Sequence, residues 1–404
     1  MKKLLLISQN FYPEIGSASN RMKQLFSYFS KKYDAKLLTT EPQYPNRSIY
    51  EQPKFWGETM DGEKISRIQP KTAKYESNMI LRFLLYLETM CRFLWCIVRE
   101  KESFDIVYVS SPPISIAIVG LFAKKKLNAT LMVDVRDLWP ASLQGVGKFN
   151  SSFFLFVAYW IEHKIYQHAD HIIINSESFQ TYIVEKGIDT QKISFVPNGL
   201  TNQEMAQGRR DRPMKMKQEP LTVIYTGNFG LAQELESFIN MADHFKTTDT
   251  VRFEMIGYGA HYQTITNTVR AKHLRNIHIY PPDTRENILQ KLIHSDIAFV
   301  SLVPHPVFET VIPGKIIDYM GCGLPIIGMV SGYAKQVIEK SETGFSFQHK
   351  EADKMYQKLS ELLESPVLRK KLRNNGLAYA KKNYSWQDNF QRIEHIISKM
   401  QRRD

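Results

Sequence analysis

The chain has 404 residues, 43% hydrophobic and 23% charged, an ordinary globular composition that excludes a fibrous or disordered class and allows two domains with full cores. Its net charge of +12 is spread evenly, with 25 Lys/Arg against 19 Asp/Glu in residues 1–200 and 28 against 22 in residues 201–404. Such a diffuse excess suits anionic substrates or an anionic membrane face and excludes the focused basic stripe of a DNA reader.

Three cysteines, at 91, 96 and 322, form neither a disulfide framework nor a zinc spacing, so a reducing cytoplasm is the expected compartment. No recognition helix, zinc finger or aromatic RNA-binding motif is visible, and nucleic acid is not an expected partner. The opening apolar run stops at Ile7 with no small-residue cleavage site behind it, and reads as a first buried strand rather than an export signal. The longest uncharged apolar runs, 114–123 and 153–161, are about half the length a membrane-spanning helix requires, so no segment is expected to cross a bilayer.

In chain order, buried strand candidates at 3–8, 35–40, 105–110, 130–135, 171–175 and 193–196 alternate with helical stretches. The plan restarts with strands at 221–226, 252–256, 277–280, 296–300, 325–329 and 344–347. That alternation belongs to parallel α/β sheets, here two in tandem. Residues 201–219 are polar, Met-rich and basic without apolar period, and read as a linker between domains at 1–200 and 220–380. Ligands of such sheets bind at the carboxyl ends of the strands, so the loops there carry the expected sites, across a cleft between the two sheets.

The first such loop runs Asn10-Phe-Tyr-Pro-Glu-Ile-Gly-Ser17, where Gly16 and Ser17 permit close backbone approach before a helix supplies amide donors. Residues 77–99 form an aromatic-rich helix with Arg82, Arg92 and Arg99, either a core helix or one that also lies on an anionic membrane. Asp134-Val-Arg136-Asp137 ends a strand with clustered charge. These groups are used by a ligand or pair with one another, Arg136 with Asp134 or Asp137. Pro197-Asn198-Gly199 is a turn. Gly227 and Asn228 sit in a glycine-bearing turn between a strand and a helix. Gly257-Tyr-Gly259 lacks the third glycine of a dinucleotide fingerprint and reads as a tight turn.

The most informative stretch is Pro313-Gly-Lys-Ile-Ile-Asp-Tyr-Met-Gly-Cys-Gly-Leu-Pro325. Lys315 and Asp318 share a helix face, so they either address one ligand at an anion-attracting helix start or form an exposed ion pair of small energy. The tail 384–397 carries Trp386, Phe390, Ile393 and Ile397 along one helical stripe.

This stretch resembles the donor-site signature of retaining glycosyltransferases of family 4, a Pro-Ser-Lys, then Glu-Tyr-Met or Glu-Ala-Met, then Gly-x-Pro, with Gly314 in place of the Ser and Asp318 in place of the Glu. The loop at 10–20 is similar to the family's Tyr-x-Pro-x-x-Gly-Gly, with Ser17 as the second glycine. Arg-Asp-Leu-Trp-Pro at 136–140 resembles a subset of bacterial polysaccharide transferases.

The resemblance covers nearly the whole length. It implies a GT-B fold of two Rossmann-like domains facing a central cleft, with the C-terminal helix at 381–404 crossing back to the N-terminal domain. The implied activity is a retaining, metal-independent transfer of a sugar from a nucleotide diphosphate donor, a UDP-sugar, to a lipid-linked or polysaccharide acceptor in capsule or O-antigen synthesis. No cofactor and no metal are expected, in keeping with the absence of an Asp-x-Asp motif.

In that frame Lys315 neutralises the leaving diphosphate together with backbone amides at Gly16, Gly227 and Gly314, and Asp318 holds the ribose diol. Arg136 or Asp137 orients the acceptor. Ser17, Asn228, Ile312 and Pro313 line the donor, Tyr280 and Pro281 meet the base, and Glu309 or Thr310 stands where relatives contact the donor sugar. The expected location is cytoplasmic, peripheral at the inner face of the plasma membrane. Two other functions share the architecture or its outline: a nucleotide-sugar 2-epimerase, whose acidic and His residues are not found, and a non-catalytic sugar-binding protein, which would need export.

Overall fold

The computed structural model describes residues 1–72, 79–147, 151–209 and 219–400. The chain divides into two compact units, Met1–Pro197 with the chain from Asn389 onward, and Asn198–Asp388.

Among the described residues, the first unit holds β1 (Lys3–Ile7), β2 (Asp34–Thr40), β3 (Ile65–Ile68), β4 (Ile106–Ser111), β5 (Thr130–Val135), β6 (His171–Ile174) and β7 (Ile193–Phe195). They form one sheet in the order β3-β2-β1-β4-β5-β6-β7, with every neighbouring pair parallel. Its helices are α1 (Ser17–Lys32), α2 (Met79–Arg99), α3 (Ile114–Leu127), α4 (Ala141–Gly145), α5 (Ser152–His168) and α6 (Phe179–Val184). In α1 the residues Met22, Leu25, Phe26 and Phe29 recur at helical spacing and are all buried, which lays the helix on the sheet. Strand β3 was not legible in the sequence: Ser66 and Arg67 interrupt its apolar pattern, as an edge position permits.

The second unit begins with α7 (Asn202–Arg209) and contains β8 (Leu221–Asn228), α8 (Glu236–His244), β9 (Val251–Tyr258), α9 (Tyr262–Ala271), β10 (Ile277–Tyr280) and α10 (Arg285–Ile293). It continues with β11 (Ile297–Ser301), α11 (Gly314–Gly321), β12 (Ile326–Met329), α12 (Gly332–Lys340), β13 (Gly344–Ser346), α13 (Ala352–Glu364) and α14 (Pro366–Asn383). The sheet runs β10-β9-β8-β11-β12-β13, again all parallel. Phe238, Phe253, Phe299 and Tyr225 are fully buried in its core. Both units are therefore Rossmann-like, and in each the first strand lies where the strand order reverses, β1 between β2 and β4 and β8 between β9 and β11.

Residues 201–219 hold more than a linker. Thr201 and Glu204 form a reciprocal cap, the Thr201 amide donating to Glu204 Oε2 at 2.7 Å and the Glu204 amide to Thr201 Oγ1 at 3.2 Å, and α7 starts there. Residues 210–218 of that stretch, like residues 77–78 ahead of α2, lie outside the described residues.

The last helix, α15 (Trp386–Met400), starts in the second unit, where the Trp386 amide donates to the Leu200 carbonyl at 3.1 Å. From Asn389 it belongs to the first unit. There Phe390 stacks on Tyr28 with ring centroids 4.2 Å apart, and the Tyr33 hydroxyl donates to Glu394 at 3.0 Å. Among the described residues, no helix is long and apolar enough to cross a membrane.

Candidate functional site

At the reversal point of the second sheet, α11 is pinned against the end of β8. The Thr226 amide donates to the Tyr319 hydroxyl at 3.0 Å, and Tyr319 is fully buried. Pro313 occupies the N-cap position with extended backbone and Gly314 opens the helix, so its first turn presents amide hydrogens at the carboxyl end of β8. Lys315 in that turn lies over the Tyr225 ring, its Nζ 3.7 Å from the centroid. The ammonium is buried with no hydrogen-bond acceptor, and burial pushes its pKa down to about 7. It faces Gly227, where a Cβ would stand 3.4 Å from Nζ and where φ of 117° suits glycine.

The exposed Lys315–Asp318 ion pair that helical spacing allows does not form. Asp318 is gripped by Arg285, from the first turn of α10, at 2.9 Å (Nη2 to Oδ1) and 3.4 Å (Nη1 to Oδ2). Arg285 Nε also donates to Glu204 Oε1 of α7 at 2.5 Å. Helix α7 reaches this place because two glycines meet there: a Cβ on Gly208 would stand 1.8 Å from the Gly321 carbonyl oxygen of α11. Arg285 and Glu204 were not among the site residues expected from the sequence. The Thr201-x-x-Glu204 capping pattern was the available sign of α7, but nothing local to Arg285 marks its partners.

The other expected donor residues gather partly here. Asn228 ends β8 with its Oδ1 buried and without a hydrogen-bond partner. Ile312 is buried and anchors the approach to Pro313. Glu309 is exposed and accepts from Ser331 Oγ at 3.2 Å, while Thr310 Oγ1 turns back to the Val307 carbonyl at 2.7 Å. His305 caps the short turn that carries them. Tyr280 ends β10 and the exposed Pro281 follows it; β10 is an edge strand separated from β8 by β9. Gly257 packs so tightly that a Cβ would meet the Gly227 carbonyl oxygen at 1.9 Å, which makes it a packing glycine.

In the first unit, Gly16 caps α1 with φ of 119°, and Ser17 is the first helical residue, both exposed beyond the end of β1. Of the alternatives for this charge cluster, the pairing of Arg136 with Asp134 does not occur. Asp134 is taken by Arg21 of α1 at 2.7 and 3.0 Å, two fully buried side chains. Arg136 instead donates to Ser110 Oγ at 2.8 Å and to the Pro112 carbonyl at 2.6 Å, and burial lowers its pKa. Asp137 is shifted upward by burial although Ser142 and the Leu138 amide hydrogen-bond it. Glu14, which sequence reasoning passed over, is buried after β1, accepts from Asn10 Nδ2 at 2.9 Å and has its pKa pushed up to about 8 by burial. Its only sign in the sequence is a single carboxyl in an otherwise uncharged loop.

Two family models match the chain, that of the glycosyl transferase 4-like domain over residues 30–199 and that of the glycosyl transferases group 1 over residues 209–379. The chain belongs to a GT-B glycosyltransferase family. It is 20% identical over 335 residues to WcaI of Escherichia coli K12, a glycosyl transferase assigned to colanic acid biosynthesis, covering 80% of this chain and 81% of that protein. Among solved structures the GT-B fold matches sucrose-phosphate synthase of Thermosynechococcus elongatus with TM-score 0.75, 14% identity and full coverage of both chains. It also matches Anabaena HepE in complex with UDP and glucose with TM-score 0.69, 14% identity, 99% of this chain and 100% of that one. At these identities the likeness to solved structures is one of fold.

Proposed function

We propose that this glycosyltransferase transfers a sugar with retention from a UDP-sugar to a lipid-linked or polysaccharide acceptor in cell-surface glycan synthesis. The observation that carries the reading is Lys315, a buried ammonium without an acceptor beside a helix start at a sheet reversal point. A cation held without a hydrogen-bond acceptor at such a place is a receptor for an anion supplied from outside. A departing diphosphate is that anion. Lys315 and the first amides of α11 meet the charge that builds on it, and no resident metal is required in this scheme.

Asp318 keeps lone pairs beyond those that Arg285 uses, so it can accept from a ribose diol. Arg136 and Asp137 orient the acceptor. HepE, whose complex holds UDP and glucose, and WcaI, assigned to colanic acid biosynthesis, support donor class and setting by analogy.

Contact with an anionic membrane face is supported by exposed apolar residues along two helices. Phe83, Leu84, Leu87, Trp95 and Val98 stand out from α2, and Phe153, Phe156 and Trp160 from α5. Arg99 lies over the Trp95 ring and Lys125 and Lys126 are exposed at the end of α3, so the apolar groups are accompanied by positive charge.

The test is transfer from a panel of labelled UDP-sugars to a bacterial lipid extract, with the anomeric configuration of the product read by NMR. Loss of transfer in Lys315→Ala and Asp318→Ala with retained folding is expected. An inverted product overturns retention, and full turnover by either variant overturns the site. Flotation with phosphatidylglycerol-containing vesicles tests the membrane contact, and equal binding to neutral phosphatidylcholine vesicles overturns the anionic preference.

A further inference from the structure

We propose that Arg285 is a positioning residue that occupies the Asp318 carboxylate and thereby leaves the Lys315 ammonium open to an incoming diphosphate. The inference rests on the donor-site reading above and adds a residue to it.

Lys315 and Asp318 are three residues apart on α11, the spacing at which a helix brings opposite charges together. The Asp318 charge does reach Lys315 electrostatically, yet the ammonium has no acceptor. The carboxylate is turned to Arg285, which grips both oxygens. Arg285 is itself held by Glu204 at 2.5 Å, and Glu204 is fixed by its cap exchange with Thr201.

The guanidinium is the right group for this task, since its fork binds a carboxylate at two points and does not lose its charge. Its side chain is 27% exposed and that of Asp318 25%, so the pair stands at a boundary a ligand can reach rather than in the core. Without Arg285, the Asp318 carboxylate, whose charge already acts on Lys315, is released to turn toward it, and an internal pair then competes with the diphosphate.

Calorimetric binding of inorganic pyrophosphate and of UDP to the full chain tests the inference, pyrophosphate reporting the lysine without the ribose. Arg285→Ala is expected to weaken pyrophosphate by about tenfold, as loss of one partner in a charge network does. Asp318→Asn alone is expected to bind pyrophosphate at least as well as wild type. The double variant Arg285→Ala/Asp318→Asn regains pyrophosphate affinity while UDP stays weaker than in wild type, because a neutral amide with one acceptor oxygen stands where the carboxylate offered two to the ribose diol.

Glu204→Gln, which keeps Arg285 but loosens it, gives a smaller loss that Asp318→Asn also reverses, and it serves if Arg285→Ala fails to fold. Unchanged pyrophosphate affinity in folded Arg285→Ala, or no rescue in the double variant, overturns the inference. If wild type binds neither probe, or Lys315→Ala binds both normally, it is the donor-site reading that fails.

Discussion

Each unit contains an arginine that grips an aspartate with two nitrogens, and the two pairs do different things. Arg21 meets Asp134 at 2.7 and 3.0 Å with both side chains 0% exposed, and also donates to the Pro197 carbonyl at 3.1 Å, tying α1 to β5 and to the segment after β7. Arg285 meets Asp318 at 2.9 and 3.4 Å with each side chain about a quarter exposed, beside a lysine that has no acceptor. The geometry of pairing is similar. What separates a structural clamp from a site is the neighbouring unanswered charge and the access to solvent.

If the two pairs differ in this way, the largest effect comes from Arg21→Ala. It strands the Asp134 carboxylate in the core, and we expect about 3–5 kcal/mol of lost stability in denaturant unfolding. A loss under about 1 kcal/mol would show that the pair is no clamp. Next, Lys315→Ala should lower transfer by about 100- to 1,000-fold, the usual size for one donor at a developing charge. Lys315→Met should in addition raise the melting temperature, because it removes a buried ammonium that has no acceptor.

The pH dependence follows from the same lysine. Its pKa falls from 10.5 to about 7 on folding, so between those values the unfolded chain binds the extra proton and stability rises with pH. UDP affinity should run the other way, weakening by up to about tenfold per pH unit above 7 as the charge is lost. Titrations from pH 6 to 9 check this, and a profile as flat in wild type as in Lys315→Met would sink the assignment. The smallest effect is on stability at the second pair: Asp318→Asn should cost about 1 kcal/mol or less. Asp134→Asn should cost clearly more, which unfolding curves of the two variants compare directly.

Much of the fold was legible because strand and helix periodicity is written in consecutive residues. The expected strands at 3–8 and 221–226 became β1 and β8 within two residues at either end. The edge strand β3 escaped because its middle, Ser66-Arg67, carries no apolar signal. Helix α7 escaped because its face is polar and rests on glycine contact and a cap rather than on an apolar stripe.

At the site, the Pro-Gly-Lys and Asp spacing at 313–318 was readable as a helix start with two charges on one face. Whether those charges met each other was not.

Two parallel α/β units, and the residues that could bear charge at their strand ends, follow from order along the chain. The partners were settled in space: Asp134 went to Arg21, 113 residues away, and Asp318 to Arg285, 33 residues away. Ion pairing depends on distance and burial, which fall steeply in space and have no fixed spacing in sequence. The same folding that gave both aspartates an arginine left Lys315 without an acceptor.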